Sequence, residues 1–462
     1  MENLKSLKGK KFHFIGIGGV SMSALAQLLK RDGFYVQGSD ETFSAEIKKL
    51  AKKKIRVFLG QKKENVLGAD IVVYSSAIRE DNPELLAAKA FGLVIIKRAQ
   101  LLGAIASGYK NVIAIAGSHG KTTTTAMIAE MFIVAGLKPT VHIGGVLKSI
   151  NSNVLVGNKR FFITENCEYM DNFLYVSPDI SVILNIDKDH LDYFGDIEGV
   201  RSSFLKYAKN TREGGLNLIC GQDKNSAEIK ELENTASFGL DKTNDVYAKN
   251  IVEYKPGFYA FDAYFARCKL GKIKLGIIGE HNVFNALAAV FVGLLCGIEF
   301  DKIKQAIENF SGVKRRSEKI AEINETQIFH DYAHHPKQIE SMIEVAKRLK
   351  KDSGRIITVF EPHTFSRTKY LLDDFAKSFS GSDYLILAPV YSAREKASEG
   401  LTSNELKIEA KKYVKNVEVM ETYNEIYSKV MELSKNGDIV LILGAGSIEK
   451  LAQMLKNNKT KN

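Results

Sequence analysis

Gly117-Ser118-His119-Gly120-Lys121-Thr122-Thr123 stands between a short apolar run, Asn111 to Ala116, and a segment of helical character, Thr122 to Ala135. A glycine turn ending in Gly-Lys-Thr between a strand and a helix suits phosphate. The glycines admit backbone N–H groups to phosphate oxygens, the helix N-terminus favours anions, Lys121 neutralises charge and Thr122 offers a hydroxyl to Mg²⁺. Ile115 occupies the place of the first glycine of GxxxxGK[ST], so the loop is a shortened variant. The alternative, a chance glycine turn, leaves the Gly-Lys-Thr-Thr ending unexplained.

Gly16-Ile17-Gly18-Gly19-Val20-Ser21 approaches the dinucleotide fingerprint GxGxxG but has serine where its last glycine belongs. Asp40 ends the next strand, about where an acidic residue meets a ribose in such folds, so a nucleotide diphosphate fits here. Close packing of helix on strand is the alternative. Glu165 and the run Asn185 to His190 each follow a buried strand. That brings them to the carboxyl edge of a parallel sheet beside the phosphate loop, where carboxylate and imidazole hold Mg²⁺ or serve only as surface polar groups. His334 and His335 point to opposite sides of an extended backbone, which argues against a zinc pair; Glu361 to Arg367 follows a further strand.

These groups need a scaffold. With 462 residues, the chain exceeds one comfortable core, and a prior of about 150 residues per domain suggests about three. Its 45% hydrophobic and 26% charged content is that of a globular protein. The net charge of +11 is spread through amphipathic segments such as Glu46 to Lys54, which argues against nucleic-acid binding and suits a polyphosphate substrate. Cys167, Cys220, Cys268 and Cys296 form no CxxC pair, so they are expected as reduced thiols. Met1 to Lys11 lacks the apolar core of a signal peptide and Ala286 to Phe300 is too short to span a bilayer, so no membrane insertion and a cytoplasmic location are expected.

Periodicity predicts strands at Lys11 to Ile17, Phe34 to Asp40, Ile71 to Ser75 and Leu93 to Lys97, with a helix over Met22 to Lys30. A second series has strands at Asn111 to Ala116, Phe161 to Thr164, Ser181 to Asn185 and Leu216 to Cys220, then a helix at Asn282 to Leu295. After a polar run, Ser311 to Glu318, come strands at Ile356 to Phe360, Tyr384 to Pro389 and Asp438 to Leu443. The expected fold is α/β with three domains in series: a Rossmann-like domain over 1–108, a P-loop ATPase domain with a parallel sheet over 109–312, and a second Rossmann-like domain over 313–462.

The motifs GIGGVSMSALA, GSHGKTTTT, NIDKDHLDYF, GEHNVFNALAA, GVKRRSE, DYAHHP, EPHTFSRT and GAGSI, in this order over nearly the whole chain, resemble the Mur ligase family. The resemblance implies ATP-dependent ligation of L-alanine to the lactyl carboxylate of UDP-N-acetylmuramate through an acyl phosphate, in cell-wall synthesis. By position, Gly16, Gly18, Gly19, Ser21, Asp40 and Ser75 would hold the UDP sugar. Gly117 to Thr123 (Gly117, Ser118, His119, Gly120, Lys121, Thr122 and Thr123), with Asn285, Arg316, Asp331 and Tyr332, would hold ATP. Thr122, Glu165 and His190 would hold Mg²⁺, and His334 and Arg367 would meet the amino acid. Lys121, Glu165, His190, His334 and Arg367 are thus the candidate catalytic set. Ser21, Ser317 and the run Glu165 to Tyr169 depart from common family patterns, and Thr364 stands where some relatives carry a second arginine. Phe204 aligns where sister ligases carry a carbamylated lysine. A ligase that recycles an intact tripeptide onto the same sugar nucleotide shares nearly all these motifs. Readings of other classes are a nicotinamide-binding dehydrogenase and a nonenzymatic nucleotide-binding regulator.

Overall fold

Runs of β-branched and aromatic residues separated by amphipathic helices build three sheets. The computed structural model describes residues 4–393, 395 and 400–458; residues 1–3 and 459–462, the outer ends of the first and third expected domains, lie outside the described residues.

The first sheet comprises β1 (Lys11–Ile15), β2 (Tyr35–Asp40), β3 (Arg56–Leu59), β4 (Ile71–Tyr74) and β5 (Val94–Lys97) in the order β3-β2-β1-β4-β5. All its pairs are parallel, and the order reverses beside β1, which opens a crevice at the carboxyl end of that strand. β1 stops at Ile15 rather than at the expected Ile17 because Gly16 turns the chain at φ 75°.

The second sheet has ten strands. They are β6 (Asn111–Ala116), β7 (Thr140–Leu147), β8 (Ser152–Leu155), β9 (Phe161–Glu165), β10 (Ile180–Ile183), β11 (Leu216–Cys220), β12 (Thr235–Gly239), β13 (Val246–Lys255), β14 (Phe258–Phe265) and β15 (Cys268–Lys274). Their order is β15-β14-β13-β12-β11-β10-β6-β9-β7-β8, which sets β6 between β9 and β10. The sheet is not wholly parallel as expected, because a short turn joins β7 to β8 and a short turn can only reverse direction. β7, β8 and β12 to β15, which the periodicity did not signal, lie toward the two edges, where polar residues interrupt the apolar runs.

The third sheet contains β16 (Glu318–Ile323), β17 (Thr326–Asp331), β18 (Ile356–Phe360), β19 (Tyr384–Leu387), β20 (Asn416–Val419) and β21 (Ile439–Leu443) in the order β16-β17-β21-β18-β19-β20. It is parallel apart from the β16–β17 hairpin.

The chain divides into two compact units: Met1–Lys249 with Asp262–Ile273 and Phe284–Ser311, and Asn250–Phe261 with Lys274–Val283 and Gly312–Asn462. In the first unit one core serves two sheets, since Phe12, Leu25, Leu29 and Ile105 are buried in one cluster with Val112, Ala114 and Phe162. The helix Arg98–Ala106 presses so closely on the segment after β9 that a Cβ on Gly103 would lie 2.0 Å from the carbonyl oxygen of Tyr175. In the second unit, Phe360, Phe375 and Phe379 fill one face of the sheet, and Val359, Ile386, Val440 and Ile442 fill the other. Burying each such side chain contributes about 2 kcal/mol.

Candidate active site

β6 runs straight into the phosphate loop, where Gly117 (φ 136°) and Gly120 (φ 85°) take conformations that side chains resist, and the helix Lys121–Val134 follows at once. The end of β10 braces the loop. Ser118 N–H donates to the Asn185 carbonyl at 3.0 Å, and the Asn185 side chain accepts from His119 N–H at 2.8 Å and donates to the His119 carbonyl at 3.0 Å. His119 Nε2 also lies 3.3 Å from the Asp187 carboxylate. Beneath the loop, Thr124 Oγ1 donates to Asn285 Oδ1 at 3.1 Å, and a Cβ on Gly120 would meet that same oxygen at 2.6 Å. Asn285 therefore supports the loop from below.

Glu165 ends β9 and accepts from Thr122 Oγ1 at 3.0 Å and from the Gly144 N–H at 2.7 Å. Lys121 reaches the Gly117 carbonyl at 2.5 Å and both carboxylate oxygens of Glu168 at 3.0 Å. Burial opposes its charge, yet the carboxylate of Glu168, with Cys167 and Glu165 behind it, holds the ammonium above its ordinary pKa. Burial, then Glu168, pushes the Cys167 thiol up to about 11, so it stays protonated.

The three expected Mg²⁺ ligands fall into two groups. Thr122 and Glu165 contact each other, whereas His190 gathers with Glu168 and Asp189, whose ligand atoms all lie within 4.8 Å of one another. Glu165 is outside that cluster. His190 takes a left-handed conformation (φ 55°), its backbone N–H donating to Asp189 Oδ1 at 2.8 Å and its ring centroid 4.5 Å from that of Tyr169, the planes tilted by 35°. Carboxylate and hydroxyl oxygens of this kind fit a hard divalent cation. Asp189 precedes His190 within the run the sequence flagged, and Glu168 lies in the run Glu165 to Tyr169 without being singled out as a ligand; its approach to His190 arises only on folding.

In the first sheet, Gly18 N–H donates to Asp40 Oδ2 at 2.9 Å, and a Cβ on Gly18 would lie 2.8 Å from that oxygen. Asp40 thus closes the glycine loop. Gly16 and Gly19 complete the turn, with Gly19 N–H donating to the Gly16 carbonyl at 3.2 Å, and Ser75 receives the N–H of Ala77 at 3.3 Å after β4. Ser21 reaches His142 on β7, Oγ to Nε2 at 2.8 Å. Burial, then the charge of Arg98, depresses that imidazole to about 3, so His142 is neutral.

In the second unit, Asp331 ends β17 and accepts from the N–H groups of Ser317 at 2.6 Å and Ala333 at 2.7 Å. Burial raises its pKa against the pull of Arg316 and those N–H groups. The guanidinium carbons of Arg315 and Arg316 stand 4.9 and 4.8 Å from the centroid of the Tyr332 ring. His334 Nδ1 lies 2.9 Å from the Tyr332 carbonyl, and its ring lies 5.8 Å from that of His363, whose Nδ1 accepts from Arg367 at 3.2 Å. The structure so links His334 to Arg367 through His363, which the sequence motif contained but did not single out. Neighbouring His335 is buried at the start of the helix Pro336–Leu349, which separates the two adjacent histidines.

The chain matches family models described as Mur ligase family, catalytic domain (residues 11–110), Mur ligase middle domain (115–293) and Mur ligase, glutamate ligase domain (315–446). It is 42% identical to a UDP-N-acetylmuramate–L-alanine ligase of Caldicellulosiruptor bescii over 96% of this chain and 98% of that one. Among solved structures, the UDP-N-acetylmuramate–alanine ligase of Thermotoga maritima superposes with a TM-score of 0.83 at 27% identity, covering 97% of this chain and 99% of that one. A murein peptide ligase of Psychrobacter arcticus shares the fold, with a TM-score of 0.75 at 22% identity over 98% and 99% of the two chains. The phosphate loop, the carboxylates flanking it and these near full-length matches make the chain a member of the Mur ligase family.

Proposed function

We propose that the chain joins L-alanine to UDP-N-acetylmuramate at the expense of ATP, in peptidoglycan synthesis. The observation that carries this reading is the phosphate loop whose Lys121 and Thr122 are each paired to a carboxylate, Glu168 and Glu165, in a chain that matches ligases of this activity end to end. The lactyl carboxylate attacks the γ-phosphorus of ATP, forming an acyl phosphate and ADP. The amine of L-alanine then attacks the acyl carbon, loses a proton, and phosphate leaves with the bonding pair, completing the amide. Lys121 neutralises the phosphoryl oxygens, and the loop N–H groups orient them. Mg²⁺, when bound by Thr122, Glu165 and His190, to which the structure adds Glu168 and Asp189 as neighbours, would screen phosphate charge.

Three stretches divide the labour in this reading: 1–108 holds the UDP sugar through Gly16, Gly18, Gly19, Ser21, Asp40 and Ser75, 109–312 holds ATP, and 313–462 presents the amino acid. In the last, Arg367 offers a planar fork to the alanine carboxylate beside His334, and Tyr332 with Arg316 and Asp331 takes the adenosine. Its substrates assign the enzyme to the cytoplasm; among the described residues, no helix is long and apolar enough to cross a membrane.

The test is ADP and phosphate release by the full chain with UDP-N-acetylmuramate and either L-alanine or the tripeptide L-alanyl-γ-D-glutamyl-diaminopimelate. Release that needs both the sugar nucleotide and L-alanine is expected. Preference for the tripeptide would reassign the enzyme to recycling, and binding of ATP without release would leave a regulator.

A further inference from the structure

Arg98 opens the helix that follows β5, within the first unit. Its Nη1 donates to Ser21 Oγ at 3.2 Å, and among the described residues it makes no other hydrogen bond and no ion pair. A guanidinium carries five N–H donors, so most of this one faces no protein acceptor. The side chain is half-buried, and that burial lowers its pKa from the ordinary value, against the opposing pull of Cys167 and Glu165. A half-buried cation whose spare donors remain accessible is placed to receive an anion.

The hydrogen bonds around it run in one direction only. Arginine can only donate, so Ser21 Oγ accepts from Arg98; the same oxygen lies 2.8 Å from His142 Nε2. Thr164 gives its one hydroxyl proton to the Glu165 carbonyl at 3.2 Å, so Thr164 Oγ1 accepts from His142 Nδ1 at 3.0 Å; the imidazole is neutral, which leaves Nε2 to accept from the Ser21 hydroxyl. This relay ties the glycine loop of the first sheet to the strand end that carries Glu165, and it orients the Arg98 fork between them.

We propose that Arg98 grips the lactyl carboxylate of the sugar nucleotide and holds it for attack on ATP, with Ser21 as the residue that positions Arg98. This rests on the ligase reading above. The carboxylate is favoured over the uridine diphosphate because the hydrogen bonds that start at Arg98 end on Glu165, the residue bonded to Thr122 at the start of the phosphate-loop helix, and the attacking carboxylate must reach the transferred phosphoryl group there. A planar guanidinium matches a carboxylate through two parallel hydrogen bonds.

UDP-N-acetylglucosamine shares the uridine diphosphate and hexosamine but lacks the lactyl carboxylate, so it isolates the contact. Calorimetric titration of the full chain with both nucleotides, without ATP, is the experiment. The parent should prefer UDP-N-acetylmuramate; Arg98→Ala should weaken that nucleotide about 30-fold, the loss expected for hydrogen bonds to a charged group, and leave UDP-N-acetylglucosamine within about twofold. Arg98→Lys should keep part of the preference, and Ser21→Ala should lose several-fold of it. Equal weakening of both nucleotides, or an unchanged preference in Arg98→Ala and Arg98→Lys alike, would overturn the proposal. A parent with no preference would instead remove the ligase reading on which it stands.

Discussion

Gly144 has no side chain because the Glu165 carboxylate occupies its place: the Gly144 N–H donates to Glu165 Oε2 at 2.7 Å, and a Cβ would stand 2.6 Å from that oxygen. Gly144→Ala must therefore displace the carboxylate and strain its contact with Thr122. The expected result is turnover lower by about 10- to 100-fold, from a shift of about 1 Å near the phosphate site, with a higher Mg²⁺ requirement and a nearly unchanged melting temperature. Initial rates across a Mg²⁺ titration check this; a curve overlaying the parent's would remove Glu165 from the catalytic set.

Tyr332, with the guanidinium carbons of Arg315 and Arg316 at 4.9 and 4.8 Å from its ring centroid, has two groups whose roles can be separated, ring face and hydroxyl. Tyr332→Phe preserves the face and should leave the KM for ATP within about twofold, while Tyr332→Ala should raise it about tenfold, the loss of a stacking contact worth roughly 1 to 1.5 kcal/mol. Steady-state kinetics at saturating alanine decide; equal behaviour of the two variants would take the ring out of nucleotide binding.

Burial, then Arg315, depresses His330 from its ordinary value of 6.5 to about 3. The folded state holds this imidazole neutral, so between about pH 6.5 and 3 the unfolded chain binds the extra proton. The stability contribution is complete above pH 6.5 and is lost as pH falls toward 3. At pH 5 the loss from this one group is about 2 kcal/mol. Since Nε2 is buried without a hydrogen-bond partner among the described residues, His330→Phe should be near-neutral at pH 7 and flatten the decline to pH 5 in urea unfolding followed at both pH values. A variant that loses stability as steeply as the parent would place the acid sensitivity elsewhere.

Phe204, aligned with a carbamylated lysine of sister ligases, is fully buried, its ring edge-on to Phe173 at 5.1 Å. It offers no amine to CO₂ and no oxygen to a cation. Enzyme prepared in CO₂-depleted buffer should work equally well with and without bicarbonate; a large, reversible rescue would show that another lysine, such as exposed Lys206, is carbamylated.

What could be read from the sequence was local. The strand Asn111 to Ala116, the glycine turn and the helix beyond it are contiguous, so backbone periodicity and glycine conformations of one segment specify them, and the structure places β6, the loop and the helix within a residue of the expected bounds. The helix Asn282–Leu295 and the strand Ile356–Phe360 coincide with their apolar runs for the same reason.

Tertiary structure alone decided which distant segments meet. Gly144 reads as an ordinary strand glycine until β7 is laid beside β9, and Arg98 as a surface cation until its helix is pressed against the segment after β9 at Gly103. The Arg98–Ser21–His142–Thr164 relay joins four chain segments, and His363 mediates between His334 and Arg367 only once β17 and β18 flank β21. Such contacts leave no periodic trace, because they depend on sheet order and on helices packing closely enough to exclude water, which a single segment does not encode.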